Sequence, residues 1–301
     1  VDRTRIALHV GQNRLLSGAF QYQERQVPSR AQFGAETVAT LDRPRTIGSA
    51  KITQFFQPIT SPKGYKASLY AEGHYLPEGT FAPETGQVVE PRELPSDTGF
   101  VVGAQGTAYG FGARQGHVHL FARYARGLAA YGDLAVPFGL DQERRSTKAS
   151  EFLVAVGSNY EIDRFALLTG AYARRFRDGS TADYSRDHFW EGIVAARPQV
   201  FTTAHTALAA EVSYQFKNRN ILDDDGKHEV PQAWRLSFIP TVTPLGWGSY
   251  TRPIIQAVYT ATIRNQAAQD LYPLEDPRSD RRVEHYLGVQ AEWWFNSSSY
   301  P

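Results

Sequence analysis

The feature that most constrains this chain is a period of two, repeated from one end to the other. In 283–295, Leu287, Val289, Ala291, Trp293 and Phe295 alternate with Glu284, Tyr286, Gly288, Gln290, Glu292 and Trp294. In 204–216, Leu208, Ala210, Val212, Tyr214 and Phe216 alternate with Ala207, Ala209, Glu211, Ser213 and Gln215. In 64–76, Ala67, Leu69, Ala71 and Tyr75 oppose Lys66, Ser68, Tyr70, Glu72 and His74. Side chains alternate across a strand, so each run has one apolar and one polar face. Each run matches the ~9–11 residues of a tilted membrane-crossing strand. Apolar outside and polar inside is what a water-filled barrel in lipid requires.

Twelve such strands are expected, at 3–11, 46–57, 64–76, 98–110, 116–126, 149–160, 164–176, 188–199, 204–216, 232–243, 251–264 and 283–295. Their connections alternate between short links and long polar loops, as in outer-membrane barrels with short periplasmic turns. Segment 12–45 reads either as one long loop or as a further hairpin from 16–26 and 33–42. The expectation is therefore a single all-β domain, a transmembrane antiparallel β-barrel of twelve to fourteen visible strands, with 296–301 a disordered tail. A soluble β-sandwich shares the alternation but gives no reason for alternating loop lengths.

Composition narrows the function. Lys and Arg number 32 against 31 Asp and Glu, with no basic tract, so nucleic acid is not an expected partner. No apolar run reaches the ~20 residues of a membrane helix. With no Cys, disulfides and thiolate chemistry are excluded. The eight His show no zinc-ligand spacing, and Asp223-Asp224-Asp225-Gly226 lacks the later positions of a calcium loop. GFGARQG (110–116) is a turn, since no helix follows it. No catalytic constellation stands out, so neither an enzyme nor a cofactor is expected.

From about residue 116 the chain resembles the maltoporins and sucrose porins. The resemblance rests on GHVHLFARYARG (116–127), IVAARPQVFTTAHTALAAEVSYQ (193–215), WRLSFIPTV (234–242), GSYTRPIIQAVYTA (248–261) and LGVQAEWWF (287–295). It implies a trimeric, 18-stranded bacterial outer-membrane channel for linear oligosaccharides such as maltodextrins. The family's first six strands and the inward-folded loop that narrows its pore have no counterpart visible in the sequence.

A sugar offers C–H-rich ring faces to aromatic rings and hydroxyls to ionised groups. Conduction needs several such contacts, each weak enough to release. The family's aromatic slide maps onto Tyr250 and Trp294, and a third slide position falls on His117, where the family has an aromatic ring. Phe121 lies two pleats further along the same face. Alternation alone assigns Lys51, Lys66, Glu72, His119, Arg123, Glu191, Arg197, Glu211, Arg252 and Glu292 to the lumen. Tyr250, Trp294, Arg252, Glu292, His117, Phe121 and Arg123 are the expected sugar contacts. A wall charge that touches only water is the plain alternative for each ionised residue, and an interfacial belt position is the plain alternative for each ring. A general porin without sugar specificity is the competing function.

Overall fold

The computed structural model describes residues 4–13, 45–58, 60–81, 92–112, 116–132, 137, 139–180, 188–219 and 229–293. Its strands are β1 (Thr4–Asn13), β2 (Arg45–Phe55), β3 (Gly64–Leu76), β4 (Gly79–Phe81), β5 (Arg92–Leu94), β6 (Asp97–Phe111) and β7 (Gly116–Gly127). They continue as β8 (Ser150–Ile162), β9 (Phe165–Arg177), β10 (His188–Thr203), β11 (Thr206–Asn218), β12 (Gln232–Val242), β13 (Ile254–Arg264) and β14 (Val283–Glu292). Twelve of them form one antiparallel sheet in the order β1-β2-β3-β6-β7-β8-β9-β10-β11-β12-β13-β14. β4 and β5 make a small separate hairpin inside the loop after β3. Among the described residues, helix is confined to a 3-10 turn at Leu128–Tyr131 and a single helical turn, α1 (Gln266–Gln269). Among the described residues, β1 and β14 are the two edges of the sheet and do not pair with each other.

The expected all-β sheet of twelve long strands is therefore present, with boundaries close to those read from alternation. The possible hairpin in 16–26 and 33–42 lies outside the described residues, as does the tail at 296–301. β13 begins at Ile254 and not at residue 251. Pro253 has no N–H to give to a ladder, and Gly248 and Gly246 take positive φ just before it, so the chain there is a turn.

The two faces of the sheet differ as lipid and water differ. Outward stand Val154, Val156, Leu167, Val194, Leu208, Val212, Leu236, Phe238, Ile255, Leu287 and Val289, all exposed large hydrophobics. Exposing so much apolar surface to water would cost about 25 cal/mol per Å², whereas against acyl chains it costs nothing comparable. Tyr75, Phe100, Tyr124, Phe152, Trp190 and Trp234 lie outward toward the long-loop end of their strands. Tyr65, Tyr160 and Phe165 lie outward toward the short-turn end. Ten residues separate Tyr65 from Tyr75, about 33 Å along a strand. A strand tilted by about 40° turns this into roughly 25 Å along the membrane normal, the height of an outer-membrane apolar band. The outward placement expected for Leu208, Val212, Leu287, Val289 and Trp293 matches this surface. Phe295 and Trp294 lie outside the described residues.

Candidate functional site in the lumen

The inner face is lined by the opposite parity. On β7, Arg123, Phe121, His119 and His117 project inward in descending order toward the short-turn end, and span about 20 Å of strand at 3.3 Å per residue. Their outward alternates Val118, Leu120, Ala122 and Tyr124 belong to the apolar surface. Tyr70 of β3 reaches over from two strands away and stacks on Phe121, with ring centroids 5.8 Å apart and planes 13° off parallel. His117 and His119 lie 4.7 Å apart, and Tyr250 closes on His117 at 5.7 Å. The Tyr250 hydroxyl is 3.4 Å from His117 Nε2. The result is an inward lane of rings: Tyr70 and Phe121 above, His119, His117 and Tyr250 below.

Tyr250 comes to β7 from 133 residues away, because the β12–β13 connection folds across the interior. Trp247 stacks on Phe201, its indole N–H donates to the Thr203 carbonyl at 2.6 Å, and the Arg164 guanidinium lies over its ring. The Ser249 N–H donates to Glu161 Oε1 at 2.9 Å. Arg252 donates to the Ser249 and Thr251 carbonyls and pairs with Glu292 of β14 at 2.9 Å. Burial in this turn raises the Tyr250 pKa, helped by the negative charge of Glu161 and opposed by Arg252.

Beside the rings runs a ladder of opposite charges across five successive strands. Arg123 of β7 pairs with Glu151 of β8 at 2.6 Å, and Glu151 pairs with Arg174 of β9 at 2.5 Å. Arg174 pairs with Glu191 of β10 at 3.0 Å, and Glu191 faces Lys217 of β11 at 3.6 Å. The ladder exists because antiparallel register sets Arg123 near Glu151 and Glu191 directly opposite both Arg174 and Lys217. A second pair, Arg197 with Glu211, lies nearer the short turns.

At the long-loop end the chain turns back onto the inner face of the sheet. Leu128, Ala129, Ala130 and Tyr131 turn inward after β7 and bury against Val101, Ala125, Phe176 and Phe189 of the inner wall, with Tyr70 at the margin. Tyr131 meets Phe176 edge-on at 5.3 Å, and its hydroxyl accepts the Gly179 N–H. Arg45 of β2 donates to the carbonyls of Leu128 and Gly132 and to His74 Nδ1, while His74 Nε2 faces Glu72. The Ser146 N–H and hydroxyl both donate to Asp97 Oδ2. Gly99 is required where the turn crosses β6: a Cβ there would lie 2.3 Å from Ala129 N. No sign of an inward turn here was visible in the sequence; in the structure residues 128–131, at the head of the β7–β8 connection, pack on the inner wall.

Of the expected contacts, His117, Phe121 and Arg123 share one stripe, Tyr250 joins His117, and Arg252 pairs with Glu292. Trp294 lies outside the described residues. Sequence reasoning missed Tyr70, Glu151 and Arg174. Each sits at an inward parity position, but only the pairing of strands brings them to Phe121 and Arg123. An apolar hollow of about 770 Å³ is walled mostly by outward-facing residues, among them Leu120, Val154, Val156, Val194 and Phe216, and reaches Phe121 between the strands.

A protein-family model described as LamB porin matches residues 18–295. No curated protein matches the chain.

Proposed function

From the premise that the chain belongs to the LamB porin family, and is thus a bacterial outer-membrane channel and not an enzyme, we propose that its lumen conducts maltodextrin-like oligosaccharides along the ring lane. The observation that carries the reading is the adjacency of that lane to the ion-pair ladder. Phe121 and Arg123 are neighbours on one stripe, with Tyr70 stacked on the first and Glu151 paired to the second. Rings take the C–H faces of a sugar by dispersion and burial, and the guanidinium and carboxylate edges hydrogen-bond its hydroxyls in both directions. Tyr250, His117, Arg252 and Glu292 supply a second station at the short-turn end. By the alternation of the sequence alone, Trp294 is a further proposed sugar contact. The partners are oligosaccharide solutes, outer-membrane lipids around the apolar band, and two further copies in a homotrimer.

Liposome swelling tests this. Vesicles carrying the protein should admit linear maltooligosaccharides faster than neutral polymers of equal hydrodynamic size. Equal rates at matched size would reject sugar specificity and leave a general porin. One observation favours that second reading: the lane has two histidines, His117 and His119, where stacking rings would bind a sugar face more strongly.

A further inference from the structure

Three buried oxygen atoms at the short-turn end have no hydrogen-bond partner among the described residues. Asn159 and Glu161 lie two residues apart on the inner face of β8, 1% and 3% exposed. Glu161 Oε1 accepts the Ser249 N–H at 2.9 Å and the Asn159 side-chain N–H at 3.4 Å. Its other oxygen Oε2, Asn159 Oδ1 and Ser249 Oγ are each buried without a hydrogen-bond partner. The groups that carry these atoms meet at Glu161 Oε1, to which the Asn159 amide and the Ser249 N–H both donate. Through Ser249 this cluster joins β8 to the β12–β13 turn.

The chemistry of this set is one-sided. A carboxylate oxygen and an amide oxygen only accept, and the hydroxyl can donate once. Arg252 is the nearest cation in the turn, but its charge is turned to Glu292 and its Nη1 hydrogens to two carbonyls. His117 is engaged with the rings of Tyr250 and His119. A buried carboxylate without a charge partner is costly to keep ionised. A water would donate to two of the three acceptors and leave the charge in place. A sugar is far too large for atoms so completely covered.

We infer that Glu161 Oε2, Asn159 Oδ1 and Ser249 Oγ form a site for a hard cation of the calcium class, which fastens the β12–β13 turn to β8. Such ions take oxygen ligands from carboxylates, amides, hydroxyls, carbonyls and water. With a single carboxylate the affinity is weak, half-saturating at roughly 10⁻⁴–10⁻³ M, as in extracellular calcium modules. The bound ion neutralises Glu161 and holds Ser249, and with it the neighbouring Tyr250, in place over the lumen.

The test uses the full chain in detergent, stripped with chelator and titrated with terbium. Emission is sensitised by Trp247 and Tyr250, which flank Ser249 closely in the chain. Wild-type protein should show saturable emission that calcium displaces at about millimolar concentration. Ser249→Ala should weaken binding several-fold, and Glu161→Gln should abolish the saturable signal. Asn159→Asp, which adds a second charged ligand, should tighten binding several-fold, a gain that a purely structural role for Asn159 does not produce. Glu284→Gln, which removes an equal charge at the long-loop end, should bind as wild type does. Each variant is first checked for heat-dependent gel mobility, and if Glu161→Gln does not fold, Ser249→Ala and Asn159→Asp decide. Absence of saturable emission in wild type, or equal emission in Glu161→Gln, overturns the assignment. So does an equal loss in Glu284→Gln.

Discussion

Replacing Glu151 by Gln removes the hinge of the ion-pair ladder while keeping the side chain's shape. Glu151 is 2% exposed and holds Arg123 through one carboxylate oxygen and Arg174 through the other. A glutamine accepts from one guanidinium and presents N–H to the other, so one arginine is left facing a donor. Breaking a buried pair costs about 3–5 kcal/mol, whereas an exposed pair is worth about 0–1 kcal/mol. The two arginine side chains keep partial contact with water, 32% and 24% exposed, so the cost falls between these ranges, at about 2 kcal/mol. At about 2–4 °C per kcal/mol, the melting point in detergent should fall by roughly 4–8 °C. The ladder would also change from three cations against two anions to three against one. Its reversal potential in a salt gradient should therefore shift toward anions. A melting point within 1 °C of wild type, with unchanged selectivity, would refute the argument and reduce the ladder to wall charges that touch only water.

Three further outcomes follow from other parts of the structure. Gly99→Ala should raise single-channel conductance, because its Cβ would lie 2.3 Å from Ala129 N and the inward turn at 128–131 must lift; unchanged conductance would mean that this turn does not narrow the pore. Tyr250, whose pKa lies above its ordinary value of 10.0 because burial disfavours the anion, contributes stability that is fully present below pH 10 and lost as pH rises through the raised value; sugar block should accordingly weaken only on the alkaline side of 10, and Tyr250→Phe should lack that step. Val194→Arg, on the outward face of β10, should lower stability by about 2–4 kcal/mol if it lies near the bilayer midplane, while Gln290→Arg, on the inner face, should change it little in the same unfolding titration.

The strands were legible in the sequence because lipid on one side and water on the other enforce the alternation that periodicity detects. Leu287 and Val289 on β14, or Glu211 and Ser213 on β11, could hardly have been assigned otherwise. What alternation does not carry is how strands meet. Arg123 was readable as inward, but its partner Glu151 and the continuation to Arg174 depend on register between neighbours. Tyr70 was grouped with the polar face of its strand, and its stacking on Phe121 is a contact across β6. The direction of a loop is equally invisible to periodicity. In retrospect the apolar run Leu128–Ala129–Ala130–Tyr131 at the head of a long polar loop was the signal that the chain turns inward there. Pro253 explains why the lower end of β13 was placed three residues early.

The central claim is that rings on the inner wall hold sugars in transit. The most direct measurement is block of single-channel current by maltooligosaccharides in a planar bilayer, for wild type and for Phe121→Ala, Tyr250→Ala and Trp294→Ala. Stacking on one ring is worth about 0.5–1.5 kcal/mol, and 1.4 kcal/mol is a factor of ten. Each variant should thus lose up to about tenfold in sugar affinity, with ionic conductance unchanged or slightly raised. Wild-type block that persists undiminished in all three variants would contradict the account, and so would the absence of any block in wild type.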